Sequence, residues 1–515
     1  MIIQNFLLPG LSGILLVLSF PDFDLEWLAW IALVPFLWSL RDTTPTRAAF
    51  LGFVSGFTFF LGTLYWIFNV LTQYGHLPTS VGIFLLILLI SYLALFFSAF
   101  GFLIRWVQEK WEIPFILYAP LLWVSLEYIR GFLLSGFPWV LLGYSQYRNL
   151  SIVQIADVTG VYGVSFILIL VNTALYQAAR DWLDRSRKQS VRHVIAAGLV
   201  VGLAAVYGSV QISQNIPEEG TGVPLKVALI QGNIRQDVKW NPQFQEETVR
   251  IYSRLTRKVK TCAPDLVIWP ETATPFFFQT PSVLQERVLK LTREMGSPLL
   301  LGSPSFQRRG TRIDYHNSAF LLSPEKGIEG RYDKIHLVPF GEYAPLAGIL
   351  GFTRDIIGAI GDFTSGTAFK IFALPQGKFG VLICYEAIFP DLTRQFVKEG
   401  AHFLVNITND AWFGRTSAPH QHLAMVTLRA VENSVPIVRG ANTGISAIIH
   451  PDGRVVQSTD LFTREWLCGK INLAKSGTFY TQHGDLFAYL CLGFSGFILF
   501  RRFYMRGQRV ERNPR

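Results

Sequence analysis

The apolar residues of this chain are segregated, crowding residues 1 to about 213 and again about 484 to 502, while the stretch between has ordinary soluble character. Runs such as "NFLLPGLSGILLVLSF" approach the roughly 20 residues that an α-helix needs to cross the hydrocarbon of a bilayer. Further runs near 25–40, 48–72, 80–107, 114–134, 161–180, 192–213 and 484–502 bring the expectation to about eight transmembrane helices. Composition agrees: 50% of residues are hydrophobic, 16% are charged and the mean hydropathy is +0.33, whereas about a quarter of a globular chain is charged. No basic stretch precedes the first run and no small-residue cleavage site follows it, so it reads as a retained membrane helix rather than a signal peptide.

Lys and Arg in short loops orient the spans. "RDTTPTR" at 41–47, the 105–112 turn with Arg105 and Lys110, "RDWLDRSRKQSVRH" at 180–193 and the tail "RRFYMRGQRVERNPR" all fall on one side, and the intervening loops carry few basic residues or none. Both termini are therefore expected in the cytoplasm. The expected organisation is a transmembrane helical domain over 1–213 with about seven spans, an exported domain over 214–483, a C-terminal transmembrane helix over 484–502 and a basic cytoplasmic tail over 503–515. The net charge of +10 is largely explained by these anchors. No zinc-finger spacing and no basic strip with interleaved aromatics is present, so nucleic acid is not an expected partner. Four cysteines, Cys262, Cys384, Cys468 and Cys491, are too few and scattered for a disulfide framework, although Cys262 and Cys468 could bridge.

From about residue 223 the pattern changes. "PLKVALIQGNI", "PDLVIWPE", "SPLLLGSP", "HNSAFLLSP", "KFGVLICYE", "AHFLVNITND" and "VPIVRGANTGISAIIHPDGRVV" read as strands. "NPQFQEETVRIYSRLTRKVK", "SVLQERVLKLTREM" and "LAMVTLRAVENS" have apolar residues at helical spacing. Strands alternating with helices predict one layered α/β domain.

Three strand ends of that domain carry ionisable groups: Glu271 in "LVIWPETATP", Lys334 in "GRYDKIHLVPFGEYAP" with Glu342 eight residues on, and Cys384 in "GVLICYEAIFP". A thiol nucleophile needs a base to remove its proton and a cation to hold the oxyanion it creates. Glu, Lys and Cys supply that set, the backbone N–H after the cysteine adds a second donor, and the product is an acyl thioester on the enzyme. Taken singly, each has a bland reading: a strand cysteine as core filling, a solvated loop Glu, a surface Lys.

Ionisable groups also occur within the apolar part. Glu127 and Arg130 in "WVSLEYIRG" are three apart, hence on one helix face, and read either as a lipid-headgroup or substrate site or as an ion pair at a helix end. Trp139 in "GFPW" is expected at headgroup level in an aromatic belt, with a substrate role as the alternative. His420 and His422 in "PHQH" lack a nearby third ligand, and no metal is expected.

"PET" around Glu271, "YDKIHLVPFGEY" around Lys334 and "CYE" around Cys384 resemble the nitrilase, or carbon-nitrogen hydrolase, superfamily. With the membrane flanks, "QGNIRQDVKW", "GFPWVLLGYSQ", "NITNDAWFG" and "VRGANTGIS" resemble its membrane-bound branch, the bacterial apolipoprotein N-acyltransferase family. The resemblance implies an αββα sandwich with Cys384 as nucleophile, Glu271 as general base and Lys334 on the oxyanion side. It also implies supporting roles for Glu342, Tyr385 and Glu386, and places Trp240 of "DVKW" near the substrate entrance. The implied reaction moves a fatty acyl chain from a phospholipid to the free α-amino group of a diacylglyceryl-modified N-terminal cysteine, at the bacterial inner membrane and without a cofactor. The implied partners are thus a phospholipid acyl donor and an apolipoprotein acceptor. The alternatives are a membrane-tethered amidase with the same three residues, and a transporter or receptor with an exported binding domain.

Overall fold

The computed structural model describes residues 2–75, 77–108, 114–215, 223–343, 363–473 and 477–511. It divides into a helical unit, Met1–Phe68, Ser80–Ser213 and His483–Arg515, and an α/β unit, Asn69–Thr79 and Gln214–Gln482.

Five described helices are long and apolar enough to cross a membrane: Pro45–Leu64, Thr79–Gln108, Val161–Leu183, Arg187–Ser213 and Leu486–Tyr504. The first of these starts where Thr44 caps it, the hydroxyl accepting from Arg47 N at 3.3 Å, and where Pro45 presets the first turn. It packs closely on Thr79–Gln108, because a Cβ on Gly52 would stand 2.3 Å from Phe97 O and one on Gly101 2.4 Å from Ala48 O. Two more of the expected spans are shorter helices, Ile2–Leu18 of 17 residues and Phe115–Arg130 of 16.

The stretch 25–40, expected as one span, is broken into a 3-10 turn, Glu26–Trp30, and a short helix, Val34–Ser39. Asn172 makes the break tenable: its side chain accepts from Leu33 N and donates to Ala29 O, both at 2.8 Å. Backbone groups that leave a helix in an apolar setting need such partners.

The polar residues of this unit have definite places. Glu127 Oε1 accepts from Leu142 N at 2.8 Å, and the Arg130 guanidinium lies over the Phe60 ring at 5.2 Å. Both line one cavity with Phe97, Trp123 and Val140. Trp139 departs from the belt expectation: it is 1% exposed and packs on Trp66 at 5.1 Å between ring centroids, whereas a belt residue would face the lipid.

The described residues of the α/β unit form twelve strands: β1 Val223–Gln231, β2 Leu266–Ile268, β3 Leu299–Arg309, β4 Arg312–Ser323, β5 Gly327–Asp333, β6 Ile371–Leu374, β7 Gly377–Ile383, β8 Phe403–Thr408, β9 Ile437–Ala441, β10 Ala447–Ile449, β11 Val455–Ser458 and β12 Glu465–Leu473. They form two six-stranded sheets, ordered β12-β1-β2-β3-β4-β5 and β11-β10-β9-β8-β7-β6. β1, β2 and β3 run parallel in the first, as do β7, β8 and β9 in the second.

Strand alternation sorts the side chains. Leu225, Val227 and Leu229 of β1 enter a core shared with Phe379, Val381 and Ile383 of β7 and Phe403, Val405 and Ile407 of β8. Ala228 and Ile230 point the other way, into a cluster with Val249, Tyr252 and Leu255 of the helix Gln245–Lys258 and Val288 and Leu291 of the helix Val283–Met295. Helices Pro390–Lys398 and Ala418–Asn433 supply Phe396, Val426 and Ala430 to the core of the second sheet. Two sheets packed face to face and flanked by helices make the expected αββα sandwich. Cys262 and Cys468 are free thiols within interaction range of each other, and burial together with Cys262 pushes the Cys468 thiol up to about 12.

Candidate active site

β7 ends at Ile383, and the chain turns at once into the 3-10 helix Cys384–Ile388. Cys384 takes φ 54°, a left-handed conformation that costs a non-glycine residue roughly 1–3 kcal/mol and persists only when its surroundings impose it. Glu386 is the main restraint. Its Oε2 accepts from Ile383 N at 2.7 Å, and its Oε1 accepts from Tyr332 OH at 2.7 Å, Ile335 N at 2.7 Å and His336 N at 3.1 Å. The carboxylate thereby fastens the turn at Cys384 to the segment that follows β5, which carries Lys334. Burial pushes the Glu386 carboxyl up to about 7, against the pull of these donors and of Lys334.

Lys334 is buried directly after β5, its backbone N donating to Asn317 O at 2.9 Å. Its Nζ lies 2.8 Å from Glu342 Oε2 and 3.9 Å from Glu271 Oε1. Asn317 Nδ2 donates to both carboxylates, at 2.7 Å each, and Val338 N donates to Glu342 Oε2 at 2.8 Å. Burial opposes the Lys334 charge, but Glu342, Glu271 and Cys384 raise its pKa above the ordinary lysine value, so it remains an ammonium. Glu271 follows β2 through Trp269 and Pro270, and Thr272 just after it takes φ 49°. Gly302 lies against this turn, where a Cβ would stand 2.6 Å from Glu271 Cα.

Three groups identified in the sequence by separate motifs, Glu271, Lys334 and Cys384, are thus brought together, with Glu342 and Glu386 bound into the same network. Burial and the Glu271 charge push the Cys384 thiol up, while Lys334 and the Thr408 hydroxyl pull it down. A thiol held in this way attacks a carbonyl only where a base takes its proton in the same step. Tyr385 is half-buried, its ring 5.2 Å from that of Phe389 and 5.9 Å from that of His336. Trp240 is half-buried, and its Nε1 has no hydrogen-bond partner among the described residues.

The structure gives places to residues to which the motifs assigned no role. Lys239, beside Trp240 and at the end of the one-turn helix Gln236–Lys239, is buried and donates from Nζ to Glu271 O at 3.1 Å. Beneath Cys384 lies a buried cluster: Arg439 Nη2 is 2.6 Å from Asp410 Oδ2 and 3.1 Å from His422 Nδ1, and Thr408 Oγ1 donates to Asp410 Oδ1 at 2.9 Å. The Cys384 backbone is among the groups that act on His422, so this cluster lies against the turn that carries the cysteine. The histidine of "PHQH" is a packing partner of that turn, which the local sequence alone does not reveal.

Two facing sheets with this cysteine at a strand end define a carbon-nitrogen hydrolase domain, and residues 226–480 match the carbon-nitrogen hydrolase family. Residues 12–174 match the apolipoprotein N-acyltransferase N-terminal domain. The chain is 47% identical to an apolipoprotein N-acyltransferase of Geobacter metallireducens over 95% of this chain and 93% of the relative. It is 36% identical to one of Methylococcus capsulatus over 95% of each. Among solved structures, an amidase from Nesterenkonia sp. aligns with 51% of this chain and 94% of its own at 17% identity and a TM-score of 0.38. The chain belongs to the apolipoprotein N-acyltransferase family.

Proposed function

We propose that this protein transfers a fatty acyl chain from a membrane phospholipid to the α-amino group of the N-terminal diacylglyceryl-cysteine of apolipoproteins, through a thioester on Cys384. The observation that carries the reading is the Glu271–Lys334 pair, 3.9 Å apart and acting in opposite senses on Cys384, in a chain whose described residues include five helices of bilayer-spanning length.

In the first half-reaction the Glu271 carboxylate takes the Sγ proton as sulfur attacks the ester carbonyl of the donor. The carbonyl oxygen becomes an oxyanion, met by the Lys334 ammonium and the Tyr385 N–H. Collapse breaks the ester C–O bond, Glu271 returns the proton to the leaving lysolipid oxygen, and a thioester remains. In the second half-reaction the free amine attacks that thioester and Glu271 accepts its proton. Collapse then leaves an amide, and the proton returns to the Cys384 sulfur. An ester becomes a thioester and then an amide, so the last step runs downhill and ATP is not needed. The order is ping-pong because both acyl transfers use one sulfur.

The Lys and Arg distribution supports an inner-membrane location with both termini cytoplasmic and the catalytic domain on the outer face. Glu127, Arg130 and Trp240 remain candidates for lipid or acceptor contact, the first two because they line a cavity with aromatic walls and the third because its indole N–H is unpaired among the described residues. Trp139, packed in the interior, acts on substrate only through Trp66 and its other neighbours. The test is acceptor dependence. With phospholipid present, a diacylglyceryl-cysteine peptide with a free α-amine is expected to become N-acylated and its N-acetylated counterpart to stay unchanged. Release of free fatty acid to water, with the free-amine peptide left unmodified, would overturn the proposal in favour of a hydrolase.

A further inference from the structure

Lys239 is a buried lysine that pairs with a backbone carbonyl. It is 2% exposed, and the one hydrogen bond of its Nζ among the described residues goes to a neutral acceptor, Glu271 O at 3.1 Å. Buried lysines ordinarily pair with a carboxylate, because an unpaired ammonium loses hydration without recompense. Here no carboxylate of the described residues lies within salt-bridge distance, and two of the three N–H donors are left over. The surroundings are nevertheless those of the reacting groups: burial pushes the Lys239 pKa down to about 8, and the charges that oppose this are Glu271 and Cys384.

The charge count of the site makes the position intelligible. Glu271 and Glu342 are two carboxylates, and Lys334 is one cation, held closer to Glu342 than to Glu271. Proton transfer to Glu271 moves negative charge from that carboxylate onto the sulfur and then onto the oxyanion, inside a buried cluster already short of a cation. Lys239 supplies the missing positive charge from the Glu271 side. Its bond to the Glu271 carbonyl also fixes the peptide at which Thr272 turns through φ 49°, and so holds the carboxylate in its place above Gly302.

We propose that Lys239 is a second cation of the active centre, a positioning residue that fixes the Glu271 peptide and lowers the energy of negative charge on the Cys384 sulfur and on the oxyanion formed beside it. The proposal rests on Cys384 being the nucleophile, and the experiment separates the two. Rates of Cys384 alkylation by iodoacetamide are measured against pH on the full-length protein in detergent, with no lipid substrate, for wild type, Lys239→Met and Lys239→Gln. Methionine keeps the stem and removes both charge and donor; glutamine keeps a donor without the charge. The titrating and charged groups that face Lys239 in this profile are Glu271 and Cys384, with Lys334 and Glu342 behind them.

Both variants are expected to melt within a few degrees of wild type, and both should move the alkylation profile to higher pH, with a rate at neutral pH about tenfold lower for each pH unit of displacement. A merely structural lysine would leave the profile of a folded variant where it was. Folded Lys239→Met and Lys239→Gln proteins with the wild-type profile would overturn the inference alone. Absence of Cys384 labelling in the wild type, with Cys262 and Cys468 labelled, would overturn the nucleophile reading beneath it.

Discussion

Lys334 Nζ stands 2.8 Å from Glu342 Oε2 and 3.9 Å from Glu271 Oε1, so a single ammonium is shared unequally between two carboxylates. The unequal sharing matters chemically. A glutamate locked in a tight ion pair is a poor base, and Glu342 keeps Lys334 from closing on Glu271. Glu342→Gln frees the ammonium to pair with Glu271, while its single amide oxygen can accept from Asn317 Nδ2 or from Val338 N but not from both. The acylation rate of Cys384 is expected to fall by about 10²–10⁴, the usual contribution of a general base, and stability by about 1–3 kcal/mol for the one orphaned donor. Single-turnover formation of acyl-enzyme measures it.

Glu386 ties the end of β7 to the segment after β5, and its replacement should report as a loss of structure first. Glu386→Gln turns an amide NH₂ towards backbone donors that already point inward, leaving at least one buried N–H orphaned at a cost of about 1–3 kcal/mol. Tyr332→Phe removes only the 2.7 Å hydroxyl bond and should cost about 1 kcal/mol. Thermal melts in detergent should rank wild type above Tyr332→Phe and Tyr332→Phe above Glu386→Gln.

Burial alone would raise the Asp410 carboxyl, but Arg439 and His422 hold it well below the usual carboxylate range. Asp410→Asn leaves the buried Arg439 uncompensated and should destabilise the α/β unit by about 3–5 kcal/mol. Arg439→Met in the same chain removes the stranded charge, so the double variant should melt above Asp410→Asn itself. A double variant that melts lower than either single would contradict the pairing.

His336 stacks on Phe389 at 3.8 Å between ring centroids, and burial with the Lys334 charge pushes its pKa down from 6.5 to about 4. The folded state then binds fewer protons than the unfolded state between those values, so stability falls as pH drops from 6.5 towards 4, by at most about 3 kcal/mol. His336→Phe has no such proton to gain. The gap between its melting temperature and that of the wild type should shift in the variant's favour across that window and stay level above pH 7.

The strands legible in the sequence are the interior ones. β1 to β4 and β7 to β10 bury both faces or most of one, and they read as apolar runs. The strands without a clear signal, β5 "GIEGRYD", β6 "IFAL" and β12 "EWLCGKINL", all lie at sheet edges, where half the side chains meet solvent and the pattern fades. The site divides in the same way. Glu271 and Cys384 are conspicuous as polar residues at the ends of apolar strands, and Lys334 as a charge between a turn and the extended apolar stretch "IHLVPF". Lys239, Asn317 and the Asp410–Arg439–His422 cluster gave no local signal, because their meaning arises only when distant segments converge. The five long apolar helices were equally plain, while the break between Trp30 and Val34 depends on a partner 139 residues away, Asn172 bound to Leu33.

The central claim is that acyl groups pass through the Cys384 sulfur. The protein is incubated with phospholipid in detergent, quenched at low pH, and the peptide containing Cys384 is weighed by mass spectrometry. The account predicts the mass of one fatty acyl group on that peptide in the wild type, its absence in Cys384→Ala, and its disappearance on addition of a free-amine diacylglyceryl peptide that gains the same mass. Transfer to the peptide at the wild-type rate by Cys384→Ala would contradict it.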